Sequence, residues 1–241
     1  MDVIIKQINL KAIDSKSANT FIKKWHYSGK IVNNSQLHFG CFYNGKLYGV
    51  LSYGPSMDKT KIQGLVKNTG WSEFIELNRM AFDDCLPKNS ESYCIAQSIK
   101  LIKKNCPQIK WIISFADATQ CGHGTVYQAS NFLLTGIKKN NQTILMPDGQ
   151  IIARMTLSDT RNNKNQRYFD QYKIKYTGGA SLKSFFEAGA KVLEGFQIRY
   201  IYFIDRDKIK DLNVPILPYS EIEKQGAKMY KGQKATSSII E

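Results

Sequence analysis

Hydrophobic and polar residues alternate along the chain in patterns that predict strands and helices. Period-two alternation predicts strands over 2–10, over 36–54 around the turn dipeptide Asn44-Gly45, and over 73–82. Apolar residues three and four positions apart predict a helix that Asp14 or Ser15 caps and that Gly29 ends. The continuous apolar run WIISFAD (111–117) predicts a central strand buried on both faces.

The rest of the chain continues this mixture. A second helix is predicted over 92–105, with Asn89 or Ser90 as its cap, and a short helix precedes a strand that begins at Phe132. A hairpin around 147–149, a polar basic loop over 158–173, a helix over 181–188 and a strand over 195–205 follow.

The order β-α-β-β-β-α-β-α-β predicts an α+β fold. It matches the core of the GCN5-related N-acyltransferase-like fold, a central mixed sheet flanked by helices. We therefore expect an acyltransferase-like core over 1–140. A C-terminal β-rich elaboration over 141–219, with a hairpin, a basic loop and a strand, completes the same domain, and 220–241 is a flexible basic tail.

Charge adds information about partners. The 241 residues include 34 Lys and Arg against 20 Asp and Glu, a formal net charge of +14. Such an excess favours a polyanionic partner, either nucleic acid or a phosphorylated cofactor, over a basic surface without a specific ligand. Five cysteines without a C-x-x-C pair argue against disulfides and closed zinc sites. No segment is long and apolar enough for a membrane span, and no secretory signal is visible.

Two segments could serve a coenzyme A thioester. The start of the second long helix, with Lys88, Asn89 and Ser90, could receive a pyrophosphate at its N–H groups, although the glycine-rich signature of acyltransferases is missing. An ordinary capped helix is the alternative. Tyr127, on the helix after the central strand, could protonate a departing thiolate, since a phenol is protonated at neutral pH. Its alternative role is packing.

Three further residues form a candidate metal set. His26 and Tyr27 end the first long helix and Asp117 ends the central strand. Imidazole, phenolate and carboxylate suit iron better than a structural zinc, whereas a helix C-cap contact is the alternative for His26-Tyr27. His123, between Gly122 and Gly124, lies near the strand end where α/β sheets collect ligands. Cys121 has no neighbour in sequence that lowers its pKa.

Six motifs in order carry a family resemblance. They are HYSGK (26–30), ELNRMAFDD (76–84), LPKNSES (86–92), SFAD (114–117), GHGTVYQASNF (122–132) and RYIYFID…VPILPY (199–219). Together they resemble the phage Mom DNA-modification family. The resemblance implies an enzyme that converts the exocyclic amino group of adenine in DNA to a carbamoylmethyl (acetamido) derivative, which protects phage DNA from restriction. It also implies acetyl-coenzyme A as the donor, iron as a cofactor, and the cytoplasm of the host bacterium as the location.

The matched motifs carry the family's functional positions. The catalytic candidates that the resemblance implies are Asp117, Tyr127, Arg79, His26 and Tyr27. His26, Tyr27, Asp117 and Tyr127 are the candidate metal ligands. The cofactor-binding candidates are Arg79, Lys88, Asn89, Ser90 and Ser92.

These candidates lead to one spatial expectation. Acetyl-coenzyme A lies between the strands at 73–82 and 110–116, and Asp117, Tyr127 and His26 converge there. Double-stranded DNA is the partner, with the target adenine flipped out of the stack. Lys and Arg of 154–175 and of the C-terminal stretch contact phosphates, and Tyr53 or Trp71 stacks on the base. The oligomeric state is open, with a homodimer as one option. The alternatives are an acetyltransferase for a small molecule or RNA, and a non-catalytic basic DNA-binding protein.

Overall fold

The computed structural model describes residues 3–176, 182–230 and 233–234, which form two compact units. The core unit comprises the chain up to residue 137 and from residue 198 onward, and the insert unit comprises 138–197. No helix of the described residues has the length and apolar character needed to cross a membrane. All five cysteines are free thiols.

The structure contains short and long elements in alternation. The helices are α1 (Val3–Lys6), α2 (Ser15–Trp25), α3 (Lys59–Gln63), α4 (Ser90–Asn105), α5 (Thr125–Ala129), α6 (Arg154–Leu157), α7 (Gln166–Gln171), α8 (Lys183–Glu187) and α9 (Ser220–Lys224). The strands are β1 (Asn9–Ala12), β2 (Leu37–Tyr43), β3 (Lys46–Gly54), β4 (Phe74–Phe82), β5 (Trp111–Ala118), β6 (Leu133–Lys139), β7 (Thr143–Leu145), β8 (Ile151–Ala153), β9 (Lys191–Val192), β10 (Phe196–Phe203), β11 (Met229–Tyr230) and β12 (Gln233–Lys234). Two 3₁₀ turns cover Arg161–Asn163 and Arg206–Asp211.

A seven-stranded sheet with the order β1-β2-β3-β4-β5-β10-β6 organises the core unit. Strands β1 to β4 are antiparallel neighbours, whereas β4 and β5 are parallel. The predicted α+β class, with a central mixed sheet flanked by helices, is therefore confirmed. A three-stranded sheet with the order β8-β7-β9 belongs to the insert unit.

The parallel pair β4–β5 is short. Its partners are Phe74 with Trp111, Ile75 with Ile112, and Glu76 with Ile113. Beyond Glu76 and Ile113 the two strands separate, while β4 stays paired with β3 up to Phe82. We call the space between the diverging halves of β4 and β5 the strand gap.

The two faces of the sheet carry different helices. On one face, α2 packs through Ala18 and Ile22 against Val50 of β3. Residues that pair between neighbouring strands lie on the same face, as do residues two or four apart on one strand. Gly54 is four residues after Val50 and pairs with Glu76, which pairs with Ile113, so these residues all lie on the face that α2 covers. We call it the α2 face. The opposite face carries α4, and the hydroxyls of Tyr53 on β3 and Ser98 on α4 lie 2.6 Å apart there.

Local signals explain the best-predicted elements. The Asp14 carboxylate accepts a hydrogen bond from the Ser17 N–H at 2.8 Å and so caps α2 as expected. Asn44 and Gly45 have φ values of 46° and 75°, which is the left-handed geometry that a two-residue hairpin turn requires. Helix α2 ends at Trp25, before the predicted Gly29, because His26 has an extended backbone.

Three predicted segments differ from the structure. Residues 3–6, predicted as strand, form α1. The polar segment 158–173, predicted as a loop, contains α7, whose Phe169 is buried in the insert unit's own core. Residues 220–230, expected in a flexible tail, contain α9 and β11, with Ile222 and Ala227 buried. Residues 235–241 of that tail lie outside the described residues.

Candidate active site

A β-bulge marks the edge of the strand gap. Tyr53 pairs with Leu77 and Ser52 pairs with Arg79, so that Asn78 is an extra residue on β4. Such a bulge interrupts the hydrogen-bond ladder and bends the strand, and bulges are frequent beside active sites. The bulge therefore lies just beyond Glu76, where the pairing of β4 with β5 ends.

The loop after α2 closes the gap on the α2 face. The backbone carbonyl of Lys30 accepts a hydrogen bond from Arg79 Nε at 3.1 Å, which joins the loop to β4. The Tyr27 hydroxyl donates to Asp117 Oδ2 at 3.0 Å, which joins the same loop to β5. The end of α2, β4 and β5 therefore meet around one opening.

Local hydrogen bonds fix the Asp117 carboxylate at the end of β5. Its Oδ1 accepts from the Thr119 N–H at 3.1 Å and from the Thr119 hydroxyl at 2.5 Å. Its Oδ2 accepts from the Gln120 amide at 3.3 Å in addition to the Tyr27 hydroxyl. The carboxylate is thus held in one orientation, with Oδ2 facing the loop that carries Tyr27.

Partial desolvation and neighbouring charges shift the pKa values of the two loop residues. Although 47% of Tyr27 is exposed, partial desolvation of its hydroxyl and, secondarily, the Asp117 carboxylate that accepts its hydrogen bond raise the pKa of the phenol. Burial, with a contribution from the Arg79 guanidinium, lowers the pKa of His26 to about 4. The ring is therefore neutral at pH 7. Because the Ser28 backbone N–H donates to His26 Nδ1 at 3.2 Å, the proton of the neutral ring lies on Nε2.

Tyr127 is buried, and it approaches the strand gap from the face of the sheet that carries α4, which we call the α4 face. Its ring packs 5.5 Å from the ring of Phe132 and 5.3 Å from that of Tyr200. Burial raises the pKa of its phenol to about 12, although the Ser114 hydroxyl opposes this shift. Ser114 also donates to the Leu77 carbonyl at 3.2 Å, directly beyond the last β4–β5 pair. Tyr127 is therefore a protonated phenol at the inner end of the gap.

The structure brings most catalytic candidates to one gap, although from two sides. His26, Tyr27, Arg79 and Asp117 form one group on the α2 face. Tyr127 interacts electrostatically with Arg79 and with Cys121, which itself lies close to Asp117. The roles of these residues stay predictions.

The candidates at the start of α4 are arranged less favourably. The Ser90 hydroxyl is buried and donates to the Pro87 carbonyl at 2.7 Å, and the Ser92 hydroxyl donates to the Asn89 carbonyl at 3.0 Å. Asn89 has a left-handed backbone, and Lys88 is exposed. Burial and the nearby Asp84 raise the pKa of Glu91 in the first turn. Two acidic side chains thus stand where a pyrophosphate was expected.

Other expected residues have structural roles or lie elsewhere. Tyr53 is fully buried, so the expectation that it stacks on a base is wrong. Trp71 is exposed, but it precedes β4, at the strand end opposite the gap. His123 Nδ1 lies 2.6 Å from the Met229 carbonyl oxygen and holds the C-terminal segment. Cys121 is exposed, but partial desolvation of its sulfur and the nearby Asp117 carboxylate raise the pKa of the thiol, which makes it a poor nucleophile.

Sequence reasoning missed Glu76, the last residue of β4 that pairs with β5. Burial raises the pKa of its carboxyl, while contacts with Ser56 and Asn78 oppose the shift. The side chain lies near Tyr127 and Arg79. Nothing local distinguishes it from a solvent-facing glutamate in an alternating strand, and only the register with β5 reveals its position.

Comparison with known proteins identifies the family. Residues 7–221 match the model of the Mom protein family. The chain belongs to the Mom family. It is 34% identical over 212 residues to a protein of Escherichia phage Mu named methylcarbamoylase mom, and the alignment covers 88% of this chain and 81% of the phage protein. The resemblance inferred from the six motifs is therefore confirmed.

Solved structures resemble this Mom family member only remotely. A Bacillus subtilis acetyltransferase in complex with CoA is 10% identical, with a TM-score of 0.43, and the match covers 82% of this chain and 99% of that one. A spermidine/spermine N-acetyltransferase from Vibrio cholerae is 8% identical, with a TM-score of 0.45, over 86% and 99% of the two chains. The fold of the core unit is defined by its own strand order and by the separation of β4 from β5.

Two of the four candidate ligands, Tyr27 and Asp117, have the spacing of adjacent ligands around a hard metal ion, whereas His26 Nδ1 is occupied by Ser28. The Tyr27 hydroxyl oxygen and Asp117 Oδ2 are 3.0 Å apart, which is the spacing of adjacent oxygen ligands about 2.1 Å from an octahedral ion. His26 lies beside them, with its ring 4.3 Å from that of Tyr27. The described residues hold no cluster of three His, Cys, Asp or Glu, so this set depends on the phenol. Tyr127, the fourth candidate ligand, packs against Phe132 and Tyr200 and does not belong to this group.

Gly124 offers a test of how the Mom site is built. Its φ of +88° is left-handed, and an added Cβ would lie 2.6 Å from Tyr200 and 3.0 Å from both Tyr127 and Ala116. Gly124→Ala should therefore lower the free energy of unfolding by about 2–4 kcal/mol, measured by urea denaturation. Gly45→Ala is the matched control, since Gly45 has a φ of +75° with no atom within 4 Å, and it should cost only about 1–2 kcal/mol. Equal losses in both variants would contradict the packing described around Tyr127.

Proposed function

We propose that this protein attaches a small carbamoyl-type group to the exocyclic amino group of adenine in double-stranded DNA, with acetyl-coenzyme A as the acyl donor. The observation that carries the proposal is the convergence of His26, Tyr27, Arg79 and Asp117 on the strand gap of a Mom family chain. The name of the phage Mu relative, a methylcarbamoylase, supports the class of group that is transferred.

The two sides of the gap suit two substrates. The thioester arm of the donor lies between β4 and β5, with its carbonyl at the bulge around Asn78. Tyr127, a protonated phenol on the α4 face, donates its proton to the departing thiolate. The amino group of adenine approaches from the α2 face, where Asp117 and the neutral His26 orient it.

The target base has to leave the duplex. The amino group of adenine belongs to the Watson–Crick edge, so an enzyme of this shape must extrude the nucleotide, at a cost of a few kcal/mol. Contacts between basic side chains and phosphates offset that cost and make binding salt-dependent. In the segment 154–175, Arg161 and Lys164 are exposed but face Asp159 at 2.8 Å and 4.0 Å, and Arg154, Lys173 and Lys175 are exposed as well. We assign the phosphate contacts to the last three.

The modification protects DNA through the major groove. The adenine amino group is a hydrogen-bond donor in that groove, where nucleases read sequence, and a substituent there blocks the contact. A methylcarbamoyl group, the substituent in the relative's name, is an isomer of the carbamoylmethyl group implied by the motif resemblance. Acetyl transfer alone gives an amide without the second nitrogen that both groups contain, and converting acetyl plus ammonia to either group also releases two electrons and two protons. The complete reaction therefore needs a nitrogen source and a two-electron oxidant.

Iron is the metal that suits the side chains which the loop after α2 and the end of β5 provide. His26, Tyr27 and Asp117 are the residues that would hold it, and a bound iron ion would supply redox chemistry that no side chain provides. Adding Fe²⁺ to metal-free protein should raise Tm by several degrees at about 100 times Kd, because a ligand of the folded state stabilises it. The shift should vanish in Tyr27→Phe and persist in Tyr48→Phe, a hairpin control. A full shift in Tyr27→Phe would exclude this site.

Transfer of a labelled group tests the function directly. Purified protein, duplex DNA and acetyl-coenzyme A labelled with ¹³C in the acetyl group are incubated with a bacterial lysate that retains its small molecules, which supplies the nitrogen source and the oxidant. We expect label in an adenine nucleoside. Label in RNA or in a small amine instead would support an acetyltransferase of those substrates. DNA binding without any transfer would support a non-catalytic DNA-binding protein.

A further inference from the structure

Phe115 has an unusual environment for the middle of a central strand. Its neighbours Ser114 and Ala116 are buried on the α4 face, yet 38% of Phe115 is exposed. It lies two residues after Ile113, the last residue of β5 that pairs with β4, and so it faces the α2 side. Because β4 diverges at this point, the ring is left without the neighbouring strand that would cover it.

The exposed ring is close to the candidate chemistry. Asp117 is two residues further along β5 on the same face, about 7 Å away. Phe115 therefore forms the floor of the strand gap between its paired end and the carboxylate. A planar apolar ring exposed beside polar groups is a suitable surface for another planar group.

A cation lies on the same part of the sheet. Ile113 of β5 and Ile201 of β10 belong to one buried cluster, and Phe115 and Arg199 each lie two residues from their isoleucine. The strands are antiparallel, because the carbonyl of Lys110, before β5, accepts from the Ile204 N–H, after β10. Phe115 and Arg199 therefore lie on the same face as Ile113 and Ile201, and both are displaced from these isoleucines toward the same end of the sheet.

Arg199 lacks an acidic partner within the described residues. Its guanidinium donates to the Thr135 hydroxyl at 3.0 Å and to the Thr135 carbonyl at 2.6 Å, both neutral acceptors. Burial alone lowers the pKa of this side chain, with no carboxylate contributing. A half-buried guanidinium without a carboxylate is suited to an anion such as a phosphate.

We propose that Phe115 is the platform on which the extruded adenine stacks, with Arg199 binding a phosphate of the same nucleotide. An exposed aromatic ring and an uncompensated guanidinium on the same face of the sheet match the two parts of a nucleotide, its flat base and its anionic backbone. This inference rests on the proposed function and specifies where its nucleic-acid substrate binds. It replaces Tyr53 and Trp71, the aromatic residues that the sequence suggested for this role.

Aromatic and aliphatic substitutions at position 115 test the stacking. Phe115→Leu keeps an apolar side chain of similar size and should lower kcat/KM for duplex DNA at least about tenfold, whereas Phe115→Tyr should stay within about threefold of wild type. Adenine adducts are measured by mass spectrometry of digested DNA. KM for the acyl donor should not change in either variant. Trp71→Leu, an exposed aromatic residue at the opposite end of β4, is the control and should behave like wild type.

The salt dependence of DNA binding tests the second half of the surface. Arg199→Gln should reduce the slope of log K against log salt concentration by about one. Arg206→Gln, an exposed arginine beyond the other end of β10, is the control for a general loss of charge. An unchanged slope in Arg199→Gln would overturn the phosphate contact. The activities of all variants are measured at a temperature well below the lowest Tm among them, so that unfolding does not contribute to the differences.

The outcomes separate this inference from the proposed function. Absence of adenine adducts with wild-type protein would remove the proposed function itself. Normal adduct formation by wild type together with full activity of Phe115→Leu would overturn the stacking platform alone. An effect of Phe115→Leu confined to KM for the acyl donor would instead place the donor on this ring and would equally overturn the inference.

Discussion

Asp117→Asn is expected to reduce adenine modification by about 10²–10³-fold while the protein remains folded. The substitution keeps the shape of the side chain but removes its charge. In the wild type, Tyr27 and Gln120 both donate to Oδ2, so an amide NH₂ at that position places donors against donors. Activity is expected to fall for two reasons: the Tyr27 loop is no longer held in its orientation, and the negative charge beside the reacting amino group is removed.

The measurement is the fraction of modified adenine in DNA treated with each variant at equal concentration. Asp207→Asn is the matched control, because Asp207 is exposed in the 3₁₀ turn outside the strand gap, and its activity should equal that of wild type. If Asp117→Asn retained wild-type activity, the carboxylate would have a structural role only, and the α2-face group would lose its central member.

Tyr127→Phe is expected to lower kcat by about 10²–10³-fold and to leave KM for DNA unchanged. The phenyl ring keeps the packing against Phe132 and Tyr200, so the stability should change by only about 1 kcal/mol from the lost contact with Ser114. The rate falls because the thiolate would depart without a positioned proton donor. Tyr48→Phe is the control for the loss of a phenol elsewhere.

The pH dependence follows from the direction of the Tyr127 shift. Its pKa in the folded protein is about 12, above the usual 10, so the folded state favours the protonated phenol. This stabilisation is complete below about pH 10 and disappears as the pH rises through 12. The rate ratio of wild type to Tyr127→Phe should therefore stay constant between pH 6 and 9. A ratio that falls within this range would show that the donor is another group.

Local signals predicted the elements that depend on local interactions. The Asn44-Gly45 turn, the Asp14 cap and the apolar run of β5 each depend on residues close in sequence, and all three lie where predicted. Helix α7 was missed because its single buried anchor, Phe169, stands in a polar segment. The order in the segment around Ile222 was missed because its packing partners are distant in sequence.

The site depended on contacts that no local pattern encodes. The hydrogen bond between Tyr27 and Asp117 joins residues 90 positions apart. Ligand chemistry and the family motifs placed both residues in one candidate set, but neither predicted this contact. Phe115 belongs to a run that predicted burial on both faces, and its exposure follows from the divergence of β4 after Glu76. The proximity of Asp84 and Glu91 at the start of α4 likewise depends on how the loop between β4 and α4 folds back toward the helix.

The central claim is that the groups gathered at the strand gap modify adenine in DNA. The most direct measurement is to express the protein in bacteria, digest the host DNA to nucleosides and determine their masses. We predict a new adenine nucleoside of higher mass with the wild-type chain and its loss with Asp117→Asn. Unmodified adenine from cells that contain abundant, folded wild-type protein would contradict the account.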